Sequence, residues 1–372
     1  MGYVAVKGGN EAIEKACQLF AYERTKGSSP PLGVDQIKEQ LYLVVDRIMG
    51  EGGLYAPDLA ALAFKQSAGD SFEASFMLRA FRATQQRMGY SLPVSTEKMR
   101  VVRRISSAFK DIPGGQILGA TSDYTLRLFD FDLLEDDAAA RSAFRERIFC
   151  NLPHESDIPT TFPKVISILR REGLLEETFS NVSRQKELAD ITRQPLTFPA
   201  CRSAKLQSLA RGETGGMLAL AYSSMRGYGN IHPTLGELRI GYLPLTVPHP
   251  VTGEPCAAGE VKVTEAEVLA RMQGSDGMPR FSLGYGLCFG QNEIKAISMA
   301  ILDRCTRTEK PNSPAEDQEF VLYHIDGIEA MGFCNHWKLP HYVDFLSDLD
   351  RLRKTQELAR AGKQKEDADA SE

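Results

Sequence analysis

The sequence predicts an α+β protein: a mainly helical N-terminal region, then a mixed α/β region with antiparallel strands, then a long C-terminal helix. Three observations predict it. Between residues 10 and 110 apolar side chains recur at helical spacing, as in Val34, Ile37, Leu41, Val44, Val45 and Ile48. After the Pro113-Gly114-Gly115 turn the pattern shifts toward alternation. Beyond that point helical and strand-like stretches follow one another without the regular alternation of a βαβ protein.

The elements follow in order. "YVAVKGG" reads as a short strand ending in a turn, and Asn10 to Glu23 as a helix. "VDQIKEQLYLVVDRIMGEGG" reads as one amphipathic helix stopped by its glycines. "APDLAALAFKQSAGD" and "SFEASFMLRAFRATQQRMG" give two more helices, and "STEKMRVVRRISSAFK" a fifth in this region. "KDIPGGQILGATSDYTLRLFDFDLL" reads as strands, and the polar stretch that follows as a variable insertion. Helices are expected at Phe162–Glu172 and Arg202–Met225, and strands at "ELRIGYLPLTVPHP" and "GEVKVTEAEV", the latter running toward a helix. "NEIKAISMAILDRC" and "PAEDQEFVLYHIDGIEAMGF" are one helix each, and a last helix starts at Pro340, a residue suited to a first helical turn. The implied division is residues 1–110 (helical), 111–360 (α+β) and a polar tail at 361–372 expected to be disordered.

Composition narrows the function classes. The 372 residues carry a net charge of −5, so the chain as a whole is not expected to bind nucleic acid. No apolar run approaches a membrane span or a signal peptide. Seven cysteines, an odd number with no Cys-x-x-Cys pair, read as reduced thiols of a cytoplasmic protein.

Several motifs carry chemistry. His336 and His341, two of six histidines, flank the single Trp337 in "HWKLPH". A continuous helix would hold them about 140° apart, but Pro340 interrupts it, so a bent loop can aim both at one point. Two histidines are half a zinc shell, and two ordinary loop histidines remain the competing reading. "SSMRGYGNIHP" and "FSLGYGLCFGQNE" share a Gly-Tyr-Gly, read as tight turns that let a ligand approach the backbone. Lys7, Arg202, Arg226 and Arg239 lie beside such stretches and suit phosphate oxygens; solvated helix faces are the plainer reading of each.

Taken together, "YVAVKGG", "FKDIPGGQILGATSDYTLRLFDFDLL", "DITRQPLTFPACRSAKLQSLARG", "LALAYSSMRGYGNIHPTLGELRIGY", "FSLGYGLCFGQNEIKAISMAILDR" and "HWKLPHYVDF" resemble the PhnI family of the bacterial carbon–phosphorus lyase machinery. The resemblance runs from Tyr3 to about Leu352. It implies a subunit that, with PhnG, PhnH and PhnL, displaces adenine from ATP with a phosphonate, giving α-D-ribose 1-methylphosphonate 5-triphosphate. Alone, such a subunit removes the base from ATP or GTP. PhnG, PhnH, PhnI and PhnJ form a two-fold core in that family. The iron–sulfur cluster belongs to PhnJ, so none is expected here. The resemblance also implies zinc on His336 and His341, near the boundary with PhnJ. One departure is Leu126 in "DYTLRLFDF", where the family pattern "DYTHRLLDF" has histidine, so no proton transfer is assigned there.

Displacement at C1′ passes through an oxocarbenium-like state and sets three jobs: cations for the phosphates, a carboxylate for the positive sugar, and an acid for the departing base. Lys7, Arg202, Arg226 and Arg239 are candidates for the first. Asp123 and Glu237 lead the second, with Asp111 and Glu260 behind them, and His232 of "GNIHP" is the candidate acid. The competing class is a non-catalytic scaffold subunit that contributes half of a metal site.

Overall fold

The computed structural model describes residues 9–135, 137–150, 162–176, 188–226, 232–274 and 276–369. Lys7, the "YVAVKGG" run up to Gly8 and the first Gly-Tyr-Gly at 227–229 therefore lie outside the described residues. Helix α1 spans Asn10–Glu23 as its periodicity requires. The next expected helix is two, α2 (Val34–Gln40) and α3 (Tyr42–Gly52). Leu41 between them leaves helical geometry at φ −111°, ψ 33° and turns outward, while Ile37, Val45 and Ile48 stay buried. Helix α4 (Pro57–Gln66) opens on proline, which has no amide hydrogen to leave unpaired. In α5 (Ser71–Thr84) the Asp70 carboxylate caps the first turn, accepting from the amides of Phe72 and Glu73. Helices α2 to α5 close on one apolar cluster around Ile48, Met49, Ala60 and Leu78.

The fifth expected helix is absent. A single 3-10 turn at Thr96–Lys98 leads into strand β1 (Arg100–Ile105). Val101 and Val102 favour extended backbone, and Arg103 and Arg104 are buried in ion pairs rather than wetting a helix face. The strands expected between 111 and 135 are also absent. Apart from one bridge between Arg104 and Ile117, this stretch is loop ending in a 3-10 turn at Phe131–Glu135. The polar stretch after it contains helix α6 (Ala138–Cys150). Helix α7 (Ile166–Arg171) follows, then α8 (Arg202–Arg211) and α9 (Thr214–Ser223), two helices where one was expected. Glu213 separates them by capping α9 through the amides of Gly215 and Gly216.

Strands β2 (Thr234–Pro248), β3 (Pro255–Gln273) and β4 (Pro279–Phe289) complete a four-stranded antiparallel sheet in the order β1-β2-β3-β4. Strand β3 stays extended for 19 residues and does not become a helix. The second Gly-Tyr-Gly is strand, not turn, because α10 (Glu293–Cys305) lies directly on it. A Cβ on Gly284 or Gly286 would stand 2.1 Å from the carbonyl oxygen of Ala300 or Ala296. Helices α11 (Gln318–His324), α12 (Gly327–Trp337) and α13 (Tyr342–Asp369) end the chain; the stretch read as one helix before the histidine pair is thus α11 and α12. The polar stretch from Ala361 is helical to Asp369.

The architecture is α+β, and the sheet has two unlike faces. One is apolar: Leu238, Ala266, Val268 and Cys288 pack under α8, α9 and α10. The other is charged, since cross-strand partners share a face and the register pairs Arg104 with Arg239, Arg239 with Glu265, Glu237 with Glu267, and Glu267 with Tyr285. Residues 30–328 form one compact unit; residues 1–29 and 329–372 form a second.

Candidate functional site

In the second unit, His336 ends α12 and His341 stands just before α13, its carbonyl accepting from the amide of Phe345 at 3.0 Å. The His341 Nδ1 lies 2.6 Å from the Leu339 carbonyl, so Nδ1 carries the hydrogen and Nε2 presents a lone pair. The two Nε2 atoms are 3.1 Å apart, with the rings nearly perpendicular. A tetrahedral zinc held at roughly 2.0–2.1 Å by two imidazoles sets them about 3.3 Å apart, so the pair fits half of a zinc shell. The carbonyl bond to the far ring nitrogen is the usual way such a ligand is oriented. No group of three or more metal-ligating side chains occurs among the described residues.

The charged sheet face in the first unit gathers two of the sequence candidates. Glu237 Oε1 takes Arg104 Nε at 2.6 Å and Arg239 Nε at 2.9 Å, and its other oxygen accepts from the Val165 amide at 3.0 Å. Beside it, Lys164 bridges Glu265 at 2.5 Å and Glu267 at 2.8 Å, while Thr96 and the Tyr285 hydroxyl donate to Glu265. Two carboxylates share one ammonium out of water, and burial pushes Glu267 up to about 7. Burial also raises Tyr285, reinforced by Glu265. The segment 162–165 covers this face, the Pro163 carbonyl accepting from Arg104 Nη2 at 2.8 Å and the Phe162 carbonyl from Arg239 Nη2 at 2.7 Å.

A third constellation opens to solvent. A cavity of about 700 Å³ is lined by Tyr42, Arg47, Asp123, Arg127, Asn292 and Glu293, among others. Buried Arg103 spans two of its carboxylates, with Nη2 2.6 Å from Asp123 and Nε 3.1 Å from Glu293. Arg127 adds a second cation to Asp123 at 3.1 Å. Burial raises Glu293 above the ordinary carboxylate range against the opposing pull of Arg103, and Asp123 pushes it the same way. The two carboxylates are thus differently placed around one guanidinium, Asp123 with a second cation and Glu293 without.

The sequence candidates do not converge. Asp123 lines this cavity, whereas His232 lines a different one of about 650 Å³ with Ser107, Thr234 and Arg271. Glu237 and Arg239 line neither, being buried against each other. Arg202 forks onto Asp303 at 2.7 and 3.2 Å, and Arg226 is exposed with its guanidinium 3.0 Å from the Tyr222 hydroxyl. Sequence reading missed Lys164, Glu265, Glu267 and Glu293. The period-two spacing of Glu265 and Glu267 within a strand was the available signal, because it places both on one face.

A family model described as "Bacterial phosphonate metabolism protein (PhnI)" matches residues 2–359. The chain belongs to the PhnI family. It is 53% identical over 370 residues to a Stutzerimonas stutzeri protein named putative C-P lyase subunit protein HtxH, covering 97% of this chain and 98% of that one. Two proteins named alpha-D-ribose 1-methylphosphonate 5-triphosphate synthase subunit PhnI are similar along their lengths. The Rhizobium meliloti one is 45% identical, covering 97% of each chain, and the Escherichia coli K12 one 44%, covering 97% of this chain and all of the relative. Among the described residues, no helix of this PhnI-family chain is long and apolar enough to cross a membrane.

Proposed function

We propose that this chain is a subunit of a carbon–phosphorus lyase system. In this reading it acts with PhnG, PhnH and PhnL partners to displace adenine from ATP with a phosphonate, giving α-D-ribose 1-methylphosphonate 5-triphosphate. Alone it removes the base from ATP or GTP. The observation that carries the reading is the near full-length similarity to two relatives named as subunits of that synthase. Zinc belongs to the proposal. His336 and His341 hold it, and a PhnJ-like partner or the substrate completes the shell within a two-fold core complex. Bound there, the ion supplies positive charge for phosphate and phosphonate oxygens. Of the cations proposed for the phosphates, Arg226 stands exposed, while Arg202 and Arg239 are each paired with a buried carboxylate, Asp303 and Glu237.

A second reading, a scaffold subunit without chemistry of its own, draws on one feature: Glu237 and Arg239 are paired with each other in the interior and line neither the Asp123 cavity nor the His232 cavity. One preparation separates the two. The chain purified alone, incubated with ATP, releases free adenine if it is an enzyme. The complex assembled with its partners converts ATP and methylphosphonate to the ribose product and contains zinc. His336→Ala and His341→Ala each lose that zinc. No adenine from the chain alone would leave the scaffold reading standing, and full zinc retention in both variants would remove the metal from the proposal.

A further inference from the structure

We propose that the cavity between Asp123 and Glu293 holds the ribose of the nucleoside triphosphate, with Glu293 as the acid that protonates the departing base and Asp123 as the carboxylate facing the positive sugar. The proposal rests on the base-displacing reading above and assigns that reaction a place in this chain. Three observations carry it. The cavity, at about 700 Å³, accommodates a nucleotide, whose bulky groups need a cleft of several hundred cubic ångströms. Both carboxylates reach the same buried guanidinium, at 2.6 and 3.1 Å. Their oxygens are therefore no more than about 8 Å apart, inside the roughly 9.5 Å upper limit for carboxylate pairs that cleave glycosidic bonds. Finally, the surroundings differ. Asp123 is contacted by two cations, Arg103 and Arg127, and is 41% exposed. Glu293 is contacted by Arg103 alone and is 21% exposed, so its proton is easier to keep.

The step balances without a further reagent. The C1′–N9 bond breaks with its electron pair leaving on adenine, and the Glu293 carboxyl gives its proton to N7 of that base. A phosphonate oxygen forms the new bond to C1′; in the isolated chain a water oxygen does so and releases its own proton. Glu293 is then reprotonated from solvent. Asp123 faces the positive sugar and stabilises it across the transition state. Arg127, lining the same cavity and 65% exposed, supplies positive charge for the triphosphate.

The test uses the full chain in complex with its partners and compares ATP with a ribose 5-triphosphate carrying 4-nitrophenol at C1′. Nitrophenolate needs no proton to leave, so the acid matters only for ATP. Glu293→Gln keeps the carbonyl oxygen toward Arg103 and should lower kcat for ATP by about 100-fold or more while changing the nitrophenyl substrate less than about threefold. Asp123→Asn should slow both. In the wild type, kcat for ATP should fall as pH rises through the Glu293 titration, governed by Arg103 and Asp123 beside it, and the nitrophenyl substrate should lack that limb. The pH comparison needs no variant to fold. If Glu293→Gln slows both substrates alike, or both wild-type profiles share the limb, the assignment of Glu293 falls while the reaction stands. If the wild type releases neither base nor nitrophenol, the underlying reading falls and takes this one with it.

Discussion

Glu265, Glu267 and Lys164 place two carboxylates on one ammonium in an interior where each ionised group costs several kcal/mol unless paired. Burial is the larger influence on Glu267, which rises from 4.5 to about 7, with the neighbouring Glu265 adding to it and Lys164 opposing. The folded state therefore holds a proton that the unfolded state has released between those two values. That contribution is fully present below about 4.5 and is lost as pH rises through about 7. Replacing Glu267 with glutamine removes the titration and keeps an oxygen for Lys164. Urea denaturation of both proteins at pH 5 and pH 8 should show Glu267→Gln gaining about 2–3 kcal/mol on the wild type over that interval. Parallel pH dependence in the two proteins would mean that Glu267 titrates normally.

At the scale of elements, helices α1, α4 and α5 were legible because their apolar periodicity or their proline and aspartate starts act within a few residues. Strand β1 was not. "RVVRRI" is polar enough to read as a helix face, and only the distant partners Asp123, Glu237 and Glu293 explain why Arg103 and Arg104 are inside. The candidate site divides the same way. The histidine pair was visible because Pro340 is local to it, whereas the pairing of Asp123 with Glu293 joins a loop to a helix start 170 residues later and leaves no periodic trace. The Gly-Tyr-Gly of β4 was visible but misread, since its glycines serve contact with α10 rather than a turn. Gly286→Ala would force a methyl group to 2.1 Å from a backbone oxygen that cannot rotate away. It should therefore cost about 3 kcal/mol or more, at the upper end of overpacking effects. Gly362→Ala meets nothing within 4 Å and lies in the exposed helix α13, so it should be neutral or slightly stabilising. Comparable losses of stability in the two variants would refute the close approach of α10.

At the scale of the whole molecule, the loop before α6 presents an unusual surface. Leu126, Phe129 and Leu134 are 87%, 89% and 82% exposed, with Tyr124, Leu128, Phe131 and Leu133 around them also exposed. Single exposed apolar residues are ordinary, but a run of this density within eleven residues is a patch of the kind monomeric proteins avoid. A net charge of −5 on 372 residues gives little repulsion to keep copies apart. The lone chain should therefore self-associate, increasingly so as its concentration rises. Aspartate at positions 126 and 129 together adds two charges to the patch without touching a buried side chain. Light scattering of the purified chain should show concentration-dependent growth in the wild type and a monomer in the double variant, with unchanged circular dichroism in both. A wild-type chain that stays monomeric at high concentration would show that this apolar run is tolerated in solution and that self-association has no source in it.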